Sequence, residues 1–158
     1  MQPYLVSILV LILSAALQGA WPAWLRIGGQ APELVVAAVA CIGLSRGAFE
    51  GCLAGLIAAV LYGASAHTPL GGLFAAYMVV GACAGFLRGS LLADRTEVAL
   101  GAAAVSVLLA GLIRLVFMPP EVFLLWLKGI LQAALFTVII TPPIFWITRL
   151  MHRREPRI

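Results

Sequence analysis

Charge is what this sequence has least of. Only 10% of its 158 residues are Asp, Glu, Lys or Arg, whereas 63% are apolar or aromatic. A soluble domain of this size could not clothe itself in polar surface from so small a supply, so the composition points to a bilayer. The ten Lys and Arg exceed the six Asp and Glu and leave a net charge of +4. They lie in short loops and at the tail rather than in one patch, which argues against nucleic-acid binding. Cysteine is scarce too. Cys41, Cys52 and Cys83 stand singly in apolar runs, without the Cys-x-x-Cys spacing that metal or redox chemistry uses, and read as small packing residues. His67 and His152 are far apart and next to loop or tail residues; they read as surface or interfacial residues, and neither a metal site nor a His-centred catalytic set is expected. There is no pair of carboxylates at acid and base spacing within a helix, no Gly-rich loop ending in Lys-Ser or Lys-Thr, and no Ser-His-Asp set. No enzyme activity and no cofactor are expected. An ion pump is disfavoured as well, because the apolar segments hold no relay of Asp, Glu or His.

What the chain does have is long apolar runs. At about 20 residues per span, its length allows at most six or seven crossings and leaves no room for a folded extramembrane domain. The expectation is an all-α integral membrane protein: a single polytopic domain over 1–158, built as a six-helix transmembrane bundle with helices at about 4–21, 31–45, 47–63, 70–88, 97–117 and 121–148. The small residues from Ser14 to Ala20 resemble a signal-peptide cleavage region. No Lys or Arg precedes Arg26, however, and five more apolar segments follow, so the first helix is read as retained. Tyr4 and Trp21 are separated by about 26 Å of helix, and Trp126 and Trp146 by about 30 Å, the spacing of aromatic anchors at two interfaces. Pro22, Arg26 and the Gly28-Gly29 turn lead into the second helix. From Leu34 to Ser45 it covers only about 18 Å, so it must start further back, thin the membrane or be enclosed by its neighbours. A turn at Ser45, Arg46 and Gly47 is preferred to one continuous helix, which would carry Arg46 and Glu50 to mid-bilayer at a cost of several kcal/mol. Pro69 precedes the fourth helix, Pro119-Pro120 separates the last two, and Pro142-Pro143 is expected to kink the end of the sixth.

Short cytoplasmic loops collect Lys and Arg. With both termini cytoplasmic, Arg46, Arg88, Arg95, Arg149, Arg153, Arg154 and Arg157 all fall inside, and the outer loops keep Arg26. That orientation requires an even number of helices.

Small residues follow a pattern of their own. Gly47, Gly51, Gly55, Ala59 and Gly63 recur at every fourth position, Gly43 extends the spacing backwards, and Gly81, Gly85 and Gly89 repeat it in the fourth helix. A face without side chains lets another backbone come close enough for dispersion contacts to hold helices together in lipid. Such a face serves either internal packing or a partner's transmembrane helix. Among the charges, Arg114 near the end of helix five, Glu121 at the start of helix six and Lys128 seven residues on are expected to converge at the outer leaflet. They would form an internal ion pair beside a snorkelling lysine, or a polar contact for another membrane protein. Glu33, directly after Pro32, suits the positive end of helix two, and Glu50 is placed to pair with Arg46.

The order of these motifs resembles the rod shape-determining protein MreD family over most of the chain. The elements are Pro32-Glu33-Leu34, then Gly51-Cys52-Leu53-Ala54-Gly55-Leu56 with Gly63 eight further on, then Leu70-Gly71, and finally Thr141-Pro142-Pro143 before Arg149 and Arg153-Arg154. Glu33 stands where the family usually has Asp, Ala59 where many members carry an acid, and the loop from Ala64 to Pro69 is longer than in some relatives. The resemblance implies a non-catalytic scaffold of the cell-elongation (rod) complex in the bacterial inner membrane. It would bind MreC and work with RodA, a class B penicillin-binding protein and MreB, coupling peptidoglycan synthesis to the cytoskeleton and cell shape. Its fold would resemble that of the substrate-binding subunits of energy-coupling-factor transporters. The alternative reading is such a vitamin-binding subunit, which would need several convergent polar and aromatic groups; Ala16 to Ala20 matches that family's short docking string.

Overall fold

Apolar runs punctuated by Pro and Gly fold into an all-helical chain. The computed structural model describes residues 3–26, 30–66, 70–89 and 96–152, and among these there are six α-helices and no strand. They are α1 (Pro3–Gly19), α2 (Leu34–Arg46), α3 (Ala48–Ala66), α4 (Leu70–Phe86), α5 (Thr96–Phe117) and α6 (Phe123–His152), with short 3-10 turns at Ala23–Leu25 and Leu87–Gly89. The expectations placed on Gly28-Gly29, His67, Pro69, Arg95, Arg153, Arg154 and Arg157 lie outside the described residues. Two segments, Thr96–Phe117 and Phe123–Thr148, are long and apolar enough to cross a membrane, and the other four helices are apolar but shorter.

The shortest α-helix is the centre of the fold. Every residue of α2 from Leu34 to Leu44 is buried, and α2 packs against all five of the other helices. A helix that is apolar all round has no side for water and belongs inside, and α2 is enclosed by its neighbours. Burial leaves the first N–H groups of α2 without water, and they must find other acceptors. Neighbouring helices supply them. The Glu33 N–H donates to Thr137 Oγ1 of α6 at 2.9 Å and the Val35 N–H to Gln18 Oε1 of α1 at 2.9 Å. The Thr137 hydroxyl in turn donates a hydrogen bond to the Ala133 carbonyl at 2.7 Å.

At its other end α2 stops at Gly47, whose φ of +112° is a conformation that L side chains rarely adopt. The chain reverses there into α3. Arg46 and Glu50 then pair at 3.3 Å across the break, the Arg46 guanidinium lies 4.6 Å from the centre of the Tyr4 ring, and an Arg88 N–H donates to the Arg46 carbonyl.

Glycine determines how α2, α3 and α4 meet. A Cβ on Gly51 would collide with the Gly81 carbonyl, one on Gly55 with the Tyr77 carbonyl, and one on Gly85 with the backbone of Gly47 and Ala48. Gly43 of α2 faces Gly81 and Gly85 in the same seam. Backbone therefore touches backbone along three helices, the close approach that small residues permit. The small-residue face is covered by the chain's own helices. Of the two uses open to this face, Gly51, Gly55, Gly81 and Gly85 serve internal packing. Pro142 and Pro143 sit inside α6, which runs past them to His152.

Candidate functional site

In a protein with so few polar side chains, the place where they gather is informative. Gln18 of α1, Glu33 at the start of α2, Tyr77 of α4, Arg114 of α5 and Thr137 of α6 meet at one end of the central helix. Five of the six helices each contribute one group.

The core of this knot is a two-pronged ion pair. Arg114 Nη1 donates to Glu33 Oε1 at 2.8 Å and Nη2 to Oε2 at 3.2 Å. The planar fork of arginine matches a carboxylate in this way, and lysine could not. Nη2 also donates to the Tyr77 hydroxyl at 3.0 Å, and the guanidinium carbon lies 5.4 Å from the Tyr77 ring centre. Tyr77 itself is fully buried, tilted against Tyr62 at 6.4 Å. Gln18 Nε2 reaches Glu33 Oε2 at 3.5 Å, so one glutamine braces the carboxylate with its amine and α2 with its carbonyl. The pair is shielded but not sealed: the side chains of Arg114 and Glu33 are 28% and 19% exposed. Arg114 Nε is buried and makes no hydrogen bond.

Beside the pair lies a cavity of about 220 Å³ between α5, α6 and the residues entering α2. Gln30, Glu33 and Arg114 supply its polar groups, and Gly111, Trp126 and Gly129 are among its walls. Gly111 leaves room for the Ile130 side chain, which a Cβ there would displace.

The expected cluster of Arg114, Glu121 and Lys128 does not form. Arg114 continues the buried stripe of α5 that includes Ala103, Val107, Ala110 and Gly111, and this stripe turns it toward α2. Glu121 precedes the first turn of α6, so the helical spacing that was to align it with Lys128 does not apply. Both are exposed, and neither makes an ion pair among the described residues. Glu33 is the anion that Arg114 uses, 81 residues away in sequence. A cation in line with an Ala and Gly stripe was the available signal that Arg114 points inward; nothing local identified Glu33, Gln18 or Tyr77 as its company.

The other singled-out positions differ in character. Pro32 is fully buried against the start of α2, Gly63 is buried, and Pro142 is half-buried within α6. Gly71 is exposed with open space around it, whereas the adjacent Gly72 faces Phe117. Cys41 is buried, Cys52 half-buried and Cys83 exposed. Among the described residues no three His, Cys, Asp or Glu are grouped as a metal site would need.

Comparison with known protein families, with curated proteins and with solved structures finds no match to this chain.

Proposed function

We infer that this chain is a non-catalytic membrane scaffold of the MreD kind, crossing the bacterial inner membrane six times with both termini in the cytoplasm. It binds MreC and, through it, joins RodA, a class B penicillin-binding protein and MreB in the machinery that elongates the cell wall. The observation that supports this reading is where the motif residues fall. Glu33 opens the enclosed helix and holds the polar knot, Pro32 is buried beside it, and Gly51 and Gly55 lie against the backbone of α4. Part of the motif set on which the resemblance rests thus packs the bundle together, as a docking platform needs.

Because the glycine seam is internal, a partner's helix must meet another face. The α6 surface carries Leu124, Leu131, Leu135 and Ile139, all exposed, with exposed Lys128 among them. Close packing along that stripe would supply the attraction, and Lys128 would set the register. The vitamin-transporter alternative rests on the cavity beside Arg114. At about 220 Å³ it falls short of the roughly 300–1,000 Å³ that enclose drug-sized ligands.

The test is affinity purification of the full chain in mild detergent from cells that also produce MreC. Stoichiometric recovery of MreC, weakened by Lys128→Glu, is the expected result. Retention of a small organic molecule with no MreC would overturn the scaffold reading.

A further inference from the structure

We propose that the cavity between α5 and α6 binds a zwitterionic phosphoethanolamine head, with an ammonium and a phosphate on one short link. This goes beyond the scaffold reading and does not depend on it. The cavity's charged groups are one anion, Glu33, and one cation, Arg114, joined to each other and each still partly exposed. A ligand of a single sign would gain from one and be opposed by the other at nearly the same distance. A zwitterion gains from both. The remaining polar equipment divides in the same way. The Trp126 ring, with Glu33, suits an ammonium, since indole is the best aromatic partner for a cation. The Gln30 amide, with the guanidinium, offers donors to a phosphate. Size agrees: about 220 Å³ is below the usual range for an enclosed drug-sized ligand, but sufficient for a head whose chains stay outside.

The head could arrive on a phospholipid or as free phosphoethanolamine, and one experiment separates the two. The full chain is purified in detergent and titrated with phosphatidylethanolamine or phosphatidylglycerol, with adducts counted by native mass spectrometry and soluble phosphoethanolamine added as competitor. Binding of phosphatidylethanolamine about tenfold tighter than phosphatidylglycerol is expected, the scale of one hydrogen bond to a charged group. Displacement by micromolar phosphoethanolamine would make the free head the ligand, and persistence against millimolar competitor would make it the lipid. Gly129→Leu fills the cavity at little strain, because the nearest atom to a Cβ there is the far end of Gln30 at 3.0 Å. It should abolish the preference, and Gln30→Leu, which removes a phosphate donor open to both lipids, should weaken binding of both about tenfold. Glu33→Gln leaves the cavity cationic and should turn the preference toward phosphatidylglycerol. If that variant fails to fold, the Gly129 and Gln30 variants still decide. Equal binding of the two lipids by the unaltered chain, an unchanged preference in Gly129→Leu, or unchanged affinity for both lipids in Gln30→Leu overturns the proposal.

Discussion

Replacing Arg114 with Leu leaves the Glu33 carboxylate in a site where, among the described residues, its other side-chain hydrogen bond is a long one from Gln18 at 3.5 Å. Removing one member of a buried pair costs about 3–5 kcal/mol, chiefly because the survivor remains desolvated. Glu33 and Arg114 keep a fifth to a quarter of their side-chain surface, so the lower end, about 3 kcal/mol, applies. Glu33→Gln is milder, about 2 kcal/mol, because the amide oxygen still accepts one bond from the guanidinium. The double variant has no unpaired charge. It should be no worse than about 2 kcal/mol below the parent, giving a coupling near 3 kcal/mol, at the upper end for interacting residues. For a chain of 158 residues, each kcal/mol moves the melting midpoint by about 2–4 °C. Arg114→Leu should therefore melt about 6–12 °C below the parent, and the double variant should recover part of that loss. The assay is thermal unfolding of the full chain in detergent, followed by tryptophan fluorescence. Lys128→Leu is the control: it lacks an ion-pair partner among the described residues and should move the midpoint by no more than about 2 °C. If the double variant shows the summed loss of the two singles, or Lys128→Leu matches Arg114→Leu, the knot is not what holds these helices together.

Two further outcomes follow from the packing and one from the proposed orientation. Gly51→Leu and Gly85→Leu put side chains where backbone already lies; overpacking of about 1–3 kcal/mol or more is expected, seen as loss of monodisperse protein on size exclusion. Gly71→Ala meets open space on a helix and should be neutral or stabilising by up to about 1 kcal/mol, with a midpoint at or above the parent's. A cysteine placed at Arg157, in a chain whose three native cysteines are replaced, should resist a membrane-impermeant maleimide added to intact cells; labelling from outside would contradict the cytoplasmic tail.

The helical class and the enclosure of α2 were legible for different reasons. Apolar runs with breaks at Pro and Gly allow few other local structures, so the helices were readable segment by segment. That a twelve-residue apolar stretch was too short for a bilayer left three accommodations open. Choosing among them needed Thr137 and Gln18, because an acceptor for a buried N–H can come from any part of the chain and leaves no periodic trace. The glycine repeat marked a close helix contact, but spacing along one helix does not say which backbone approaches. Gly81 and Gly85 share the repeat, and this was the available hint that the two faces cover each other.

The polar knot was the least legible part, and the reason is physical. Local reading assigns a charge to the helix end or the neighbour four residues away, where contact energies in water are fractions of a kcal/mol. In an apolar interior an unpaired charge is so costly that it takes whatever opposite charge the fold brings within reach, however distant in sequence. Glu50 could be paired locally because Arg46 is one turn away and both lie at a helix break. Arg114 could not, because its stripe faces a helix that Glu33 immediately precedes. With six acidic residues in the whole chain, the more useful question for each buried cation is which of those six its helix face can reach. Asked of Arg114, it directs attention to the start of α2: Glu121 lies outside the helix and off the stripe, whereas Glu33 opens the helix that the stripe packs against.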